Sequence, residues 1–161
     1  GNPFIYAGEE IGMQGRGDHE HIREPFKWYD LEGPSQTSWR PNLFNTGKWQ
    51  PSVESQAEDP DSLLNHYRSL IHTRNSEPIL RYGSLIPVDV TNPRTIVFGR
   101  EWQGKKAFVL HNISGSEQTA LIDGVDLGAL EVIFANAPYT ADTEGGNLVI
   151  TLAPYSTLIF K

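Results

Sequence analysis

The sequence predicts a mixed fold, in which an apolar strand, a long loop and a helix precede an antiparallel β-sandwich. A continuous apolar run at residues 3–7 is typical of a strand that is buried on both faces. Apolar residues recur at helical spacing within residues 59–75. From Ile79 onward, short β-rich runs alternate with turns, which indicates a sandwich. We therefore predict two domains, residues 1–77 and residues 78–161.

The composition limits the partners and the chemistry that the chain can support. Its 161 residues carry a formal net charge of -7, and Lys105-Lys106 is the only adjacent basic pair. Nucleic-acid binding depends on Lys and Arg at the phosphates, so we predict no nucleic-acid partner. No apolar run reaches roughly eighteen residues, so we predict no membrane span. The absence of cysteine excludes disulfides, thiol catalysis and cysteine-based zinc sites.

Two adjacent carboxylates, Glu9 and Glu10, follow the apolar strand directly. A pair of carboxylates that acts on one bond must lie about 5 Å apart in the closer arrangement. Neighbouring side chains on an extended chain point to opposite sides. We therefore interpret the two residues as having separate roles rather than as a catalytic dyad. One faces a site, and the other bonds an Arg side chain or a backbone N–H.

Residues 13–58 show little periodicity and are predicted to form a long loop. Aromatic side chains, among them Trp28, Trp39 and Trp49, argue against disorder. The stretch from Asp18 to His21 reads Asp-His-Glu-His, but its spacing matches no common metal motif and no helix supports it. We interpret that stretch as a solvated polar loop.

The stretch from Arg23 to Trp28 reads Arg-Glu-Pro-Phe-Lys-Trp and is the stronger candidate for function. Arg is a natural bidentate partner for carboxylates. Trp28 could pack the loop or form a platform for the apolar face of a sugar, and the residues alone favour packing.

The clearest helix is predicted over residues 59–75. Asp59 suits the N-cap, Pro60 suits the first helical position, and Pro78 marks the stop. The apolar positions that share one face are Leu63, Leu64, Tyr67, Leu70 and Ile71.

Seven strands are predicted after the helix, and Gln103-Gly104 and Gly145-Gly146-Asn147 are predicted turns. The predicted strands are Leu85–Val90, Thr95–Trp102, Lys105–Ile113, Thr119–Ile122, Leu130–Ala135, Leu148–Leu152 and Thr157–Phe160.

Five segments, in order, resemble the C-terminal part of the α-amylase family of glycoside hydrolases. Gly1 to Met13 (GNPFIYAGEEIGM) resembles the eighth strand of that family's TIM barrel and the start of the following loop. Arg23 to Trp28 resembles the Arg-x-Pro-x-x-Trp element of the same loop. Ser52 to Asn75 resembles the last barrel helix and its approach. Glu77 to Ser84 and Ala153 to Phe160 resemble the first and last segments of the antiparallel C-terminal domain.

The resemblance implies that residues 1–77 are the C-terminal end of a (β/α)8 barrel and that residues 78–161 are a β-sandwich domain. The family's catalytic residues are an Asp nucleophile, a Glu acid/base and an assisting Asp, which follow earlier strands, so we predict no catalytic residue here. The resemblance places the family's calcium sites upstream as well, and we predict no metal ligand and no cofactor in this chain. Glu9, Arg23 and Trp28 are the predicted substrate-binding residues, because such barrels build their sites from these loops.

The expected function is that of the C-terminal portion of a retaining α-glucosidic hydrolase acting on starch and maltooligosaccharides. Oligo-1,6-glucosidases and trehalose-synthase-like members share this layout and stay open as alternatives. The expected partners are an α-glucan and the remainder of the barrel. The expected location is extracellular or periplasmic, and residues 1–161 alone are expected to be inactive.

A stand-alone carbohydrate-binding or structural β-sandwich is the alternative from a different class. Trp102 and Tyr139 are the aromatic residues that could contact a sugar. Because there are only these two candidates, a structural role for the sandwich is favoured. A proteolytic or split product is a third interpretation, in which residues 1–58 are poorly anchored without the barrel.

Overall fold

The backbone divides into two compact units, Gly1–His72 and Thr73–Lys161. The predicted domain boundary, between residues 77 and 78, stays a prediction. The computed structural model describes residues 2–47, 51–90, 92–125, 128 and 130–161. Trp49, one of the predicted loop aromatics, lies outside these residues.

Among the described residues of the first unit, there is little regular structure before residue 53. A 3-10 turn spans Glu9–Ile11, and the first helix, α1, spans Val53–Ala57. The predicted strand at residues 3–7 does not form, and Phe4 is 97% exposed. A strand requires a neighbour for its backbone hydrogen bonds, and the described part of this unit contains no second strand to pair with it.

The main helix, α2, spans Leu63–Ser76 and begins four residues later than predicted. Ser62 is the residue that caps it, because its hydroxyl accepts a hydrogen bond from the Asn65 N–H at 3.2 Å. Asp59 instead closes a turn before the helix, accepting from the Asp61 N–H at 3.0 Å. The predicted N-cap was therefore wrong, since Pro60 lies in a turn rather than in the first helical position.

The predicted apolar face of α2, whose residues up to His72 belong to the first unit, is only partly covered. Leu64 is buried and Tyr67 and Leu70 are half-buried, whereas Leu63 and Ile71 are exposed. Gln56 joins the elements of this unit: its amide donates to the Ile11 carbonyl at 3.0 Å and accepts from the Leu64 N–H at 2.9 Å.

After the end of α2, the described residues of the second unit include a short helix, α3 (Pro78–Tyr82), and eight strands. The strands are β1 (Ser84–Pro87), β2 (Thr95–Trp102), β3 (Lys105–Asn112), β4 (Gln118–Ile122), β5 (Val132–Ala135), β6 (Tyr139–Glu144), β7 (Asn147–Leu152) and β8 (Thr157–Phe160). They form two antiparallel sheets, a five-stranded one in the order β1-β2-β3-β8-β5 and a three-stranded one in the order β4-β7-β6. The predicted sandwich is confirmed.

Six of the seven predicted strands agree with the structure to within two residues at each end. The first, predicted to reach Val90, stops at Pro87, which has no N–H to extend a ladder. Strand β6 was not predicted, and its residues YTADTE are mostly exposed and polar.

The two predicted turns join consecutive strands. Gln103 and Gly104, with φ of 51° and 75°, connect β2 to β3, and Gly145 and Gly146, with φ of 59° and 86°, connect β6 to β7. Two successive residues with positive φ match the twist of antiparallel strands, which is why both connections are two-residue hairpins.

Two apolar clusters cover the two faces of the five-stranded sheet. The first lies between the sheets and includes Leu110, Leu148, Ile150 and Phe160, each at most 1% exposed. The second packs residues of α3 onto the opposite face: Ile79, Leu80, Ala107, Val109 and Ile159. Among the described residues, no helix has the length and apolar character needed to cross a bilayer.

Candidate functional site

The 3-10 turn at Glu9–Ile11 lies between two glycines in the left-handed region. Gly8 has a φ of 100° and Gly12 a φ of 73°, a conformation that side chains with a Cβ rarely adopt. The expectation that Glu9 and Glu10 lie on an extended strand was therefore wrong, because the chain reverses here. Both carboxylates turn back on the backbone: Glu9 accepts from the Tyr6 N–H at 3.2 Å, and Glu10 from the Gly8 N–H at 2.8 Å.

A cleft of about 420 Å³ opens beside this turn. Glu9 and Arg23, two of the predicted substrate-binding residues, line it together, and Glu10 does not. The Arg23 side chain is exposed and makes no hydrogen bond or ion pair with the part of the chain that the structure describes. Glu24 lines the cleft as well, so the structure brings two carboxylates and one guanidinium to it.

Trp28, the third predicted site residue, lies outside the lining of this cleft and is 44% exposed. Its ring packs at 4.8 Å between centroids from that of Phe26, which does line the cleft. The Gln36 side chain accepts from the Trp28 N–H at 3.1 Å and donates to the Phe26 carbonyl at 2.8 Å. Trp28 thus supports a wall of the cleft through Phe26.

Glu24, which was not among the predicted site residues, fixes the shape of the loop. The residue is 7% exposed, and its carboxylate accepts from the backbone N–H groups of Leu43, Phe44 and Asn45 at 2.5, 3.0 and 3.0 Å. Burial would raise the pKa of Glu24, but the hydrogen bonds from these three residues outweigh that effect and lower the pKa below its ordinary value.

Asn45 connects Glu24 to the segment that follows the 3-10 turn. Its side-chain amide donates to Glu24 at 2.8 Å and to the Gln14 carbonyl at 2.7 Å, and it accepts from the Gln14 N–H at 2.8 Å. The buried Lys27 ammonium donates to the Gly47 carbonyl at 2.6 Å. The loop that carries Arg23 is therefore held by buried polar contacts between residues about twenty or more positions apart.

The Asp18–His21 stretch forms a small polar turn. His21 Nδ1 lies 2.6 Å from Asp18 Oδ1, and the His21 N–H donates to the same oxygen at 3.1 Å. These contacts lower the pKa of Asp18, the backbone hydrogen bond most of all. Within the described ranges, no group of three or more His, Asp or Glu side chains is arranged to hold a metal ion.

Comparison with known proteins identifies the family. The sequence profile of the α-amylase catalytic domain matches residues 1–83. The chain belongs to the α-amylase family.

Individual members of the α-amylase family match nearly the whole chain. Alpha-amylase 3 of Dictyoglomus thermophilum is 32% identical over all of this chain and 31% of its own length. An oligo-1,6-glucosidase of Bacillus cereus is 25% identical over all of this chain and 35% of its own length. The crystal structure of the α-amylase from H. orenii superposes with a TM-score of 0.83 at 35% identity, covering 99% of this chain and 32% of that one.

These matches confirm the predicted resemblance and the predicted fold class of a barrel end followed by a β-sandwich. The chain spans about a third of the length of these α-amylase-family relatives. The roles of Glu9, Arg23 and Trp28 remain predictions.

Proposed function

We propose that this chain is the C-terminal portion of a retaining α-glucosidic hydrolase that acts on starch and maltooligosaccharides. The observation that carries the proposal is the match of residues 1–83 to the α-amylase catalytic domain. Two of the three predicted site residues, Glu9 and Arg23, also line one cleft of about 420 Å³. In a barrel of this kind, the loops after the strands build the active site.

The role we assign to this chain is to form part of the substrate-binding wall. The Arg23 guanidinium has five N–H donors and, among the described residues, no acceptor, so it is available to sugar hydroxyls. The Glu9 carboxylate is an acceptor on the same cleft. Trp28 keeps Phe26 in place behind them.

The chemistry itself requires two further carboxylates about 5 Å apart, one as nucleophile and one as general acid/base. We propose that these lie on the other part of the barrel. Residues that bind the sugar equally well in the ground and transition states alter KM more than kcat. We expect that pattern for Arg23.

Substitution of Arg23 by Ala in the full-length enzyme tests this role. We expect KM for maltoheptaose to rise about tenfold or more with kcat within about twofold, because a charge-assisted hydrogen bond contributes roughly 1.5–3 kcal/mol. Steady-state kinetics measures both constants. Arg16→Ala is the matched control, since Arg16 is an exposed arginine outside the cleft lining. An R23A enzyme with the kinetics of R16A would contradict the proposal.

The identity to an oligo-1,6-glucosidase keeps cleavage of α-1,6 bonds as a second candidate activity. Trehalose-synthase-like activity, the other alternative, would convert maltose without net hydrolysis. Incubating the full-length enzyme with maltotriose, isomaltose and maltose separates the three, and rapid cleavage of isomaltose alone would overturn the α-1,4 assignment.

We also propose an extracellular or periplasmic location, because starch is too large to cross a membrane. Calcium, if the full-length enzyme contains it, is proposed to bind residues outside those described here, which offer no suitable ligand group. Activity measured in culture supernatant and after chelation tests the two proposals separately.

A further inference from the structure

The sandwich unit has a cleft of its own, about 490 Å³ in volume. It lies where the start of α3 meets the hairpin between β2 and β3, and Glu131 and Lys161 close it from the ends of β5 and β8. The proposed hydrolytic function makes no use of this cleft. Its lining combines carboxylates that accept hydrogen bonds, exposed lysines that donate them, and the aromatic ring of Trp102.

The acceptors are two carboxylates held by one lysine. The Lys161 ammonium donates to the two oxygens of Glu77 at 3.1 and 3.0 Å and lies 3.4 Å from Glu131 Oε1. The hydrogen bond to Glu77 raises the pKa of Lys161, so the ammonium stays charged. Because Lys161 occupies only part of their lone-pair capacity, both carboxylates keep positions for a ligand's hydroxyl groups.

The donors are the exposed ammonium groups of Lys105 and Lys106 at the start of β3. Neither side chain hydrogen-bonds or pairs with a charge in the described part of the molecule. The cleft therefore offers unoccupied donors close to anchored acceptors.

The apolar wall is Trp102, with Pro78 and Ile79 beside it. Trp102 is half-buried and packs against the apolar cluster under α3. The Tyr82 ring lies 6.2 Å from it at 38° between planes, which restricts how the indole can turn. A ring fixed in this way is suited to contact the C–H face of a sugar.

We propose that this cleft, on the sandwich, is a second binding site for α-glucan. Carboxylates disfavour an anionic ligand here, and three lysines disfavour a cationic one. A neutral ligand that carries hydroxyl groups around an apolar face suits this cleft. Its hydroxyl groups match the carboxylates and the lysines, and its apolar face matches the Trp102 indole. That the sugar is an α-glucan rests on the proposed function. Tyr139, the other aromatic candidate, packs against the core between the sheets and takes no part.

The Trp102 indole N–H provides a direct readout of this site. We expect the NMR signal of this group in the 161-residue chain to shift saturably as maltoheptaose is added. The indole N–H signal of Trp39 should not shift. Trp39 is 60% exposed and lies in the other unit. Cellohexaose, with β-linked glucose, should shift Trp102 less at equal concentration.

Two substitutions locate the binding. Trp102→Ala should weaken the affinity about five- to tenfold, since an aromatic contact contributes about 1–1.5 kcal/mol. Glu131→Gln should weaken it as well, and because Glu131 is exposed this variant leaves the core unchanged. Glu117→Gln, an exposed glutamate outside the cleft, is the matched control and should bind as the wild type does.

A Trp102 signal that does not respond to maltoheptaose, or an affinity insensitive to both Trp102→Ala and Glu131→Gln, would overturn the second site. Hydrolysis by the full-length enzyme is a separate measurement. If the full-length enzyme cleaves α-glucans but the Trp102 signal does not shift, this inference alone is refuted. If maltoheptaose binds at Trp102 but the enzyme cleaves other glycans, the proposed function alone is refuted.

Discussion

At the scale of single residues, Glu24 is the residue on which the shape of the loop most depends. Its neighbour Arg23 is exposed to solvent, whereas Glu24 is buried and binds three consecutive backbone N–H groups. The two adjacent residues of the Arg-x-Pro-x-x-Trp motif therefore have opposite tasks. One is offered to the cleft, and the other fixes the chain that presents it.

Substitution of Glu24 by Gln should loosen residues 43–45. A neutral amide loses the charge-assisted hydrogen bonds and turns an N–H₂ group toward other N–H groups, which costs about 1–3 kcal/mol. Amide hydrogen exchange at Leu43, Phe44 and Asn45 should become about tenfold faster or more. Glu32→Gln, an exposed glutamate of the same loop, is the control and should leave these rates unchanged. Equal rates in the two variants would show that Glu24 is not the anchor.

The same carboxylate should make stability depend on pH. The folded-state pKa of Glu24 is lowered, so its contribution is complete above the ordinary value of 4.5 and is lost as the pH falls through the folded-state pKa. The difference in unfolding free energy between the wild type and E24Q should thus be largest near pH 7 and shrink below about pH 4.5. Urea titrations over this range measure it. A difference that grows on acidification would reverse the assigned sign.

The sequence indicates some of these residues and hides others for a physical reason. Arg23 and Trp28 belong to a short motif, so they stand out along the chain. Glu24 binds residues 19 to 21 positions away, and such a pairing is set by the folded path of the loop. The local spacing of residues in the sequence therefore does not indicate this pairing.

At the scale of secondary-structure elements, local chemistry predicts most of the sandwich. Strands β2, β3 and β8 have apolar cores and clear turns at their ends, and the prediction places them well. Strand β6 is polar and lies at the edge of its sheet, so its pairing with β7 leaves no apolar pattern to detect. The start of α2 was misplaced because both Asp59 and Ser62 are good capping residues.

The β2–β3 hairpin gives a direct test of turn chemistry. Gly104→Ala should lower stability by about 1 kcal/mol, because the φ of 75° is unfavourable for a residue with a Cβ. No heavy atom lies within 4 Å of the added Cβ, so the cost is conformational and not steric. Gln103→Asn should stabilise the turn slightly, since Asn tolerates its φ of 51°. Thermal unfolding followed by circular dichroism compares them, and an unchanged G104A would contradict the turn assignment.

At the scale of the whole molecule, we expect residues 1–161 alone to release no sugar from starch. Two carboxylates line the cleft at the predicted site, and both are bound to backbone N–H groups: Glu9 to that of Tyr6, and Glu24 to those of residues 43–45. A retaining mechanism needs two carboxylates that are available to act on one bond. A reducing-sugar assay against a buffer blank measures this, with the full-length enzyme as the positive control. Turnover by the 161-residue chain would refute our division of roles.

The position of β8 has a consequence for how the sandwich is made in the cell. This strand comes last of the eight described, yet it lies between β3 and β5 in the larger sheet. Until the ribosome has released residues 157–160, β5 has no partner and β3 has one open edge. Folding of this sheet must therefore wait until residues 157–160 have been made, because its decisive contacts are among the most distant in sequence. During that interval the nascent sandwich presents unpaired strand edges, and it is then most exposed to aggregation.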